Sequence, residues 1–87
     1  MGSTDDQKSL IRPVVSIYPS VTKSTVTIQS NKEISQIKVI NYIGKTIQTP
    51  KADNDKTIDL SSQANGIYFI SIYTIDGNIT TKRVVKN

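Results

Sequence analysis

The chain of 87 residues is long enough for one small domain with a single core. It contains neither cysteine nor histidine, which excludes a disulfide framework and removes the thiolate and imidazole groups that many active sites and zinc sites use. Its formal charge of +4 comes from scattered lysines and two arginines, and no apolar run approaches the roughly 20 residues of a membrane-spanning helix, so neither nucleic-acid binding nor membrane insertion is predicted.

The N-terminal residues differ in composition from the rest of the chain. Residues 1–12 are mostly polar and show no hydrophobic period, so they are predicted to be a disordered tag or linker. Met1-Gly2-Ser3 has the look of a cloning remnant. The folded domain is therefore predicted to span residues 13–87.

Short segments rich in β-branched residues, separated by turn residues, predict an all-β fold. Seven strands are predicted, at residues 14–18, 24–30, 35–42, 46–49, 56–60, 65–74 and 79–86. Alternation places Val26, Ile28, Ile37 and Val39 on the inward side of their strands. The pattern favours a seven-stranded antiparallel immunoglobulin-like β-sandwich, with a five- or six-stranded barrel as the alternative.

The strand at residues 65–74 is predicted to lie at the centre of a sheet. Tyr68, Ile70 and Ile72 share one of its faces, and the opposite face carries Ile67 and Phe69 among others. Because both faces carry large apolar groups, we expect it to be covered on both sides for much of its length.

Glycines mark the predicted turns between strands. Gly44 in a hairpin turn and Gly66 after Asn65 are expected to have positive φ, and Gly77 marks a further turn. Residues 20–23 are predicted to be a turn as well, and residues 61–64 a connection with room for one turn of α-helix or 3₁₀-helix.

The residues offer little catalytic or metal-binding chemistry. Asp53-Asn54-Asp55 supplies too few oxygens for calcium and is typical of a solvated turn. Of the seven acids only Asp59 lies in a predicted strand, so no paired acid–base site is expected. The four tyrosines are expected to pack at the edge of the core; a platform for sugar rings is the alternative. No cofactor, metal or enzymatic activity is predicted.

An ordered series of segments resembles a known family. The segments are Ile17-Tyr18-Pro19, Val26-Thr27-Ile28, residues 37–41 with Gly44 and Ile47, Ile58-Asp59-Leu60-Ser61, residues 65–70, Gly77 and residues 82–86. In order and spacing this series resembles the C-terminal sorting domain, type A, of the type IX secretion system (the Por system) of Bacteroidetes. The resemblance covers residues 14–87. Ser20-Val21 stands where the family usually has Asn-Pro, so the first motif departs from the pattern.

The resemblance implies that the chain is an address for secretion. Proteins of this family cross the inner membrane by an N-terminal signal and fold in the periplasm, and the C-terminal domain directs them through the outer-membrane translocon to the cell surface or the medium. A sortase-like peptidase commonly removes the domain, here within residues 4–13, and joins the N-terminal cargo to an anionic lipopolysaccharide. The implied partners are the translocon, shuttle and sortase-like components. The residues that match the family's recognition motifs are Gly66, Ile67, Tyr68, Lys82, Arg83, Val84, Val85 and Lys86.

Strand edges give these motifs a physical rationale. A final strand at the edge of a sheet would offer unpaired backbone groups, and its basic side chains would suit an acidic groove. The same edge could pair two copies of the chain in a dimer. Two other functions are the alternatives: a noncatalytic accessory module that binds carbohydrate or spaces domains in a secreted enzyme, and a small enzyme.

Overall fold

The computed structural model describes residues 15–53 and 55–87, and this part of the chain is all-β, as predicted, with no helix. The predicted linker at residues 1–12, the proposed cleavage region and Val14 of the predicted first strand lie outside the described residues, as does Asn54. No helix long and apolar enough to cross a membrane occurs among the described residues. The strands are β1 (Val15–Tyr18), β2 (Val21–Thr22), β3 (Thr25–Ser30), β4 (Ile34–Asn41), β5 (Thr46–Gln48), β6 (Asp55–Asp59), β7 (Gly66–Thr74) and β8 (Ile79–Lys86).

The strands form two sheets, with the orders β1-β3-β6 and β2-β8-β7-β4-β5. The predicted number of seven strands and the purely antiparallel arrangement are wrong, because the five-stranded sheet is mixed. Residues 20–23, predicted to be a turn, contain β2, which pairs in parallel with the end of β8. A strand of two residues is too short to show an alternating pattern, so the sequence gives no sign of it.

The chain changes sheet between β1 and β2. Pro19, which follows a cis peptide bond, lies between the two strands. β1 pairs with β3 in one sheet, and β2 pairs with β8 in the other. Thr22 is buried and fixes the turn that follows, since its Oγ1 donates a hydrogen bond to the carbonyl oxygen of Thr25 (2.7 Å) and accepts one from the amide of Ser24 (3.1 Å). These hydrogen bonds close the turn between β2 and β3.

The core lies between the two sheets and is built almost entirely from β-branched side chains. Val26, Ile28, Ile37 and Val39 are fully buried, as alternation predicted. Each such side chain contributes about 1.5–3 kcal/mol through the apolar surface removed from water. The other buried apolar residues are Val15, Ile17, Ile34, Ile58, Leu60, Tyr68, Ile70, Ile72 and Val84.

β7 lies at the centre of the five-stranded sheet, between β8 and β4. Its inward side chains are buried, whereas Ile67, Phe69 and Tyr73 on the opposite face are only half-buried. The expectation that both faces would be covered is therefore wrong for the second face. We call this second face, which turns away from the three-stranded sheet, the outer face. Ser71 on this face is buried, and its hydroxyl lies 2.9 Å from that of Thr81.

The glycine turns follow the prediction. Gly44 and Gly77 have φ of 91°, and Gly66 has φ of 151°. Gly66 is the first residue of β7. Its φ lies in a region that residues with a side chain rarely adopt. Residues 61–64 form turns rather than helix; the amide of Gln63 donates to the carbonyl of Leu60 (2.9 Å).

The substitution Gly66→Val should lower the free energy of unfolding by about 1–3 kcal/mol, because valine would be held at a strained φ. A Cβ at this position would meet no atom within 4 Å, so the loss arises from the backbone and not from crowding. Gly66→Ala should therefore cost a similar amount in urea unfolding. An unchanged midpoint for both variants would contradict the positive φ.

Candidate recognition surface

Cross-strand pairing brings the two predicted recognition segments together. Gly66 lies opposite Lys86, Ile67 opposite Val85, and Tyr68 opposite Val84. Segments that are separated by more than a dozen residues in the sequence thus form one continuous patch where β7 begins and β8 ends.

Alternation divides this patch between the core and the outer face. Tyr68 and Val84 point inward, with 6% and 0% of their surface exposed. The hydroxyl of Tyr68 donates a hydrogen bond to the carbonyl oxygen of Ala64 (2.5 Å) and ties the preceding loop to β7. Ile67 and Val85 lie on the outer face, so they are the apolar members of the patch that a partner could contact.

The three predicted basic residues do not share one side of the sheet. Arg83 is exposed on the outer face, opposite Phe69. Lys82 and Lys86 are half-buried at the margin of the inward face. The ammonium group of Lys86 donates to the side-chain oxygen of Asn65 (3.4 Å), and Lys82 lines a groove between β1 and β8 on the open side of the sandwich. The outer face therefore receives only Arg83 from this set.

The final strand was expected to form an open edge of the sheet. That expectation is wrong for the end of the strand. The amide of Val85 donates to the carbonyl oxygen of Ser20 (2.8 Å), and that of Asn87 to Thr22 (3.0 Å), so β2 covers the end of β8. Beside residues 79–84 the described chain places no further strand. The unpaired backbone of β8 is thus limited to its first part.

The strands that form the outer face contribute positive charge and contain no Asp or Glu. Arg83 and Lys38 lie on it, and the Lys38 ammonium sits 5.4 Å from the centre of the Tyr73 ring. Glu33 and Asp76 lie in turns at the opposite end of β7 from Gly66, and Asp59 lies in the other sheet. The face therefore favours a partner with carboxylates.

The side chains of Asp59 and Asp76 accept hydrogen bonds from residues of their own turns. Hydrogen bonds from the hydroxyl and amide of Ser61 hold the pKa of Asp59 below its ordinary value, and the Thr74 hydroxyl does the same to the pKa of Asp76. Both carboxylates are therefore ionised at neutral pH, which is the wrong state for a general acid. No group of three metal-ligating side chains occurs among the residues described.

Three exposed apolar residues next to the patch were missed in the sequence analysis. Val21 is 53% exposed, Tyr42 72% and Ile43 82%. One feature of the sequence could have indicated this exposed apolar surface. Tyr42-Ile43 is an apolar pair at a position where hairpin turns usually carry polar residues. Since Tyr68 is buried whereas Tyr42 is exposed, the four tyrosines do not form a single platform.

Comparison with protein families identifies the class to which this fold and surface belong. The family model described as "Secretion system C-terminal sorting domain" matches residues 16–87, which is most of the chain. The chain therefore belongs to the C-terminal sorting domains of type IX secretion. This family is not catalytic and acts with the secretion machinery. Its role implies export to the cell surface or the medium. A search of curated proteins finds no match.

Proposed function

We propose that the chain is the export address of a cargo protein on its N-terminal side. The cargo passes the inner membrane, the domain folds in the periplasm, and the folded domain is then recognised by the outer-membrane translocon and its shuttle component. The observation that supports this most strongly is the pairing of residues 66–68 with residues 84–86, which makes one surface from the two segments that match the family's motifs.

The members of this surface have two different roles in the proposal. Ile67, Arg83 and Val85 lie on the outer face and contact the secretion machinery. Tyr68 and Val84 are buried and act indirectly, because they fix the relative position of β7 and β8. Lys82 and Lys86, at the margin of the sheet, add positive charge that attracts an acidic partner.

Removal of the domain is the second step of the proposed function. A sortase-like peptidase cleaves within residues 4–13 and transfers the cargo to an anionic lipopolysaccharide. This region precedes β1, so a cut there would leave every described strand within the released domain. Cleavage and folding are then independent of one another.

The proposal includes an immunoglobulin-like architecture for the sandwich. The Tyr68 hydroxyl binds the backbone four residues upstream, near the beginning of β7, in the manner of the tyrosine corner of immunoglobulin-like domains. The absence of cysteine means that the disulfide of antibody domains plays no part here. The extra strand arises because the first strand is divided between the two sheets.

The test is a secretion assay in a Bacteroidetes host with an intact type IX system. A reporter with an N-terminal export signal is fused ahead of the whole chain and compared with the same reporter alone, and both are also expressed in a strain without the translocon. The fusion should reach the surface or the medium only in the intact strain, while the reporter alone stays in the periplasm. Equal secretion of both would overturn the proposal and leave an accessory module as the function.

A further inference from the structure

A shallow hollow of about 200 Å³ lies at the end of the five-stranded sheet, between the β4–β5 hairpin and the beginning of β7. Asn41, Tyr42 and Ile43 form one side of it, and residues 65–68 form the other, so its lining is apolar with an asparagine on each side. The hollow therefore joins the exposed apolar pair to one of the segments that match the family's recognition motifs.

The hairpin tip is held in place by its own hydrogen bonds. The amide of Gly44 donates to the carbonyl oxygen of Asn41, the amide of Asn41 donates to the carbonyl oxygen of Lys45, and the amide of Lys45 donates to the Asn41 side chain, each at 2.9 Å. Tyr42 and Ile43 are thus presented to solvent by a closed turn. The exposed side chains of Tyr42 and Ile43 do not contribute to the core, and exposed apolar surface of this kind is typical of an interaction site.

The hollow lies at one end of an apolar row that crosses four strands. Val21 pairs with Val85, and Val85 with Ile67. Tyr42 stands next to Ile67, because it follows Asn41, which pairs with Tyr68. At about 4.8 Å between strands, the row extends for roughly 14 Å along the edge of the outer face.

Gly66 leaves space at the side of the hollow. A Cβ built at this residue would meet no atom of the described chain within 4 Å apart from its two chain neighbours. A partner side chain can approach the backbone of β7 at this point because glycine offers no obstruction.

The charges beside the apolar row determine which partner is electrostatically complementary to it. Arg83 lies next to Val85 and opposite Phe69, and Lys38 lies further along the same face. A second copy of the chain packed face to face would bring like charges together, which opposes self-association. A protein surface that carries carboxylates beside an apolar side chain complements both features.

We propose that the hollow receives one apolar side chain, of the size of leucine or phenylalanine, from a protein of the type IX machinery that carries carboxylates opposite Arg83. This inference rests on the proposed function and adds Val21, Tyr42 and Ile43 to the recognition surface. A single anchor side chain that fills a pocket is a common source of affinity in protein interfaces.

The test compares two double variants of the secretion fusion. Tyr42→Ser with Ile43→Ser removes the hairpin side of the hollow, and Ile75→Ser with Ile79→Ser removes two similarly exposed side chains (63% and 60%) at the other end of β7 and β8. The first should lower the secreted fraction about tenfold or more, and the second should change it less than about twofold, which are losses of about 1.4 and 0.4 kcal/mol. Both should retain the melting temperature of the parent, and Ile43→Met should retain secretion.

The outcomes separate this inference from the proposed function. If the parent fusion depends on the chain for secretion but the Tyr42/Ile43 variant is secreted like the parent, only the hollow is excluded. Purified domain is also mixed with vesicles of phosphatidylglycerol and phosphatidylcholine and examined by sedimentation. If the parent domain binds the vesicles and the Tyr42/Ile43 variant does not, the hollow contacts a membrane and the inference is wrong. If the parent is a dimer and the variant is a monomer, the hollow contacts a second copy and the inference is also wrong. A monomeric parent domain that does not bind the vesicles supports the inference.

Discussion

Val84→Asp should destabilise the domain by more than about 4 kcal/mol, because it places a carboxylate without a cationic partner in the core. Val84 has none of its surface exposed and lies opposite buried Tyr68. A small domain has about 5–15 kcal/mol of stability, so this loss removes a large fraction of it and should lower the urea midpoint sharply. Urea unfolding followed by circular dichroism measures the loss.

The adjacent residue supplies the control for this prediction. Arg83→Asp introduces the same carboxylate one position away on the exposed outer face, and it should change the free energy of unfolding by less than about 0.5 kcal/mol. A Val84→Asp variant with the stability of the Arg83→Asp variant would show that β8 does not contribute its inward side chain to the core.

This difference between neighbours affects how sorting signals of this kind are tested. Deleting residues 82–87 would remove Val84 from the core and also the strand to which β2 is bound. A truncated fusion that stays in the periplasm would therefore report misfolding as readily as lost recognition. Substitutions on the outer face avoid this ambiguity, because they leave the core intact.

Local patterns in the sequence were sufficient for most of the strands and turns. Alternation identified the inward residues of β3 and β4 because one face of each strand is buried against the other sheet. The positive φ of Gly44 and Gly66 was predictable because few other residues tolerate it. These features depend on neighbours in the chain, which a single sequence records.

Features that depend on distant pairing were not predictable in the same way. β2 exists because Val21 and Thr22 meet the end of β8, more than sixty residues further along the chain. The apolar row likewise joins residues from four strands, and only the cross-strand register reveals that Val21, Ile67 and Val85 are neighbours. The motif segments were recognisable individually, but their division between core and outer face required the structure.

Charge reversal at Arg83 is the second large effect that we expect, and it concerns recognition rather than folding. Arg83 is exposed, makes no ion pair with any described side chain, and lies beside the apolar row that the secretion machinery is proposed to contact. Arg83→Glu would place a carboxylate opposite the partner's own carboxylates, and like charges at an interface are strongly unfavourable. The secreted fraction of the fusion should fall about tenfold or more while the melting temperature is retained.

The matched control for Arg83→Glu is Lys51→Glu, in the exposed loop before β6. Both variants lower the formal net charge by two, from +4 to +2, so a loss of secretion confined to Arg83→Glu is an effect of position and not of total charge. Arg83→Lys keeps the charge but not the planar guanidinium, and it should retain more secretion than Arg83→Glu. Equal losses in the Arg83→Glu and Lys51→Glu variants would mean that the machinery responds to net charge alone, and undiminished secretion of Arg83→Glu would place the recognition surface away from the outer face.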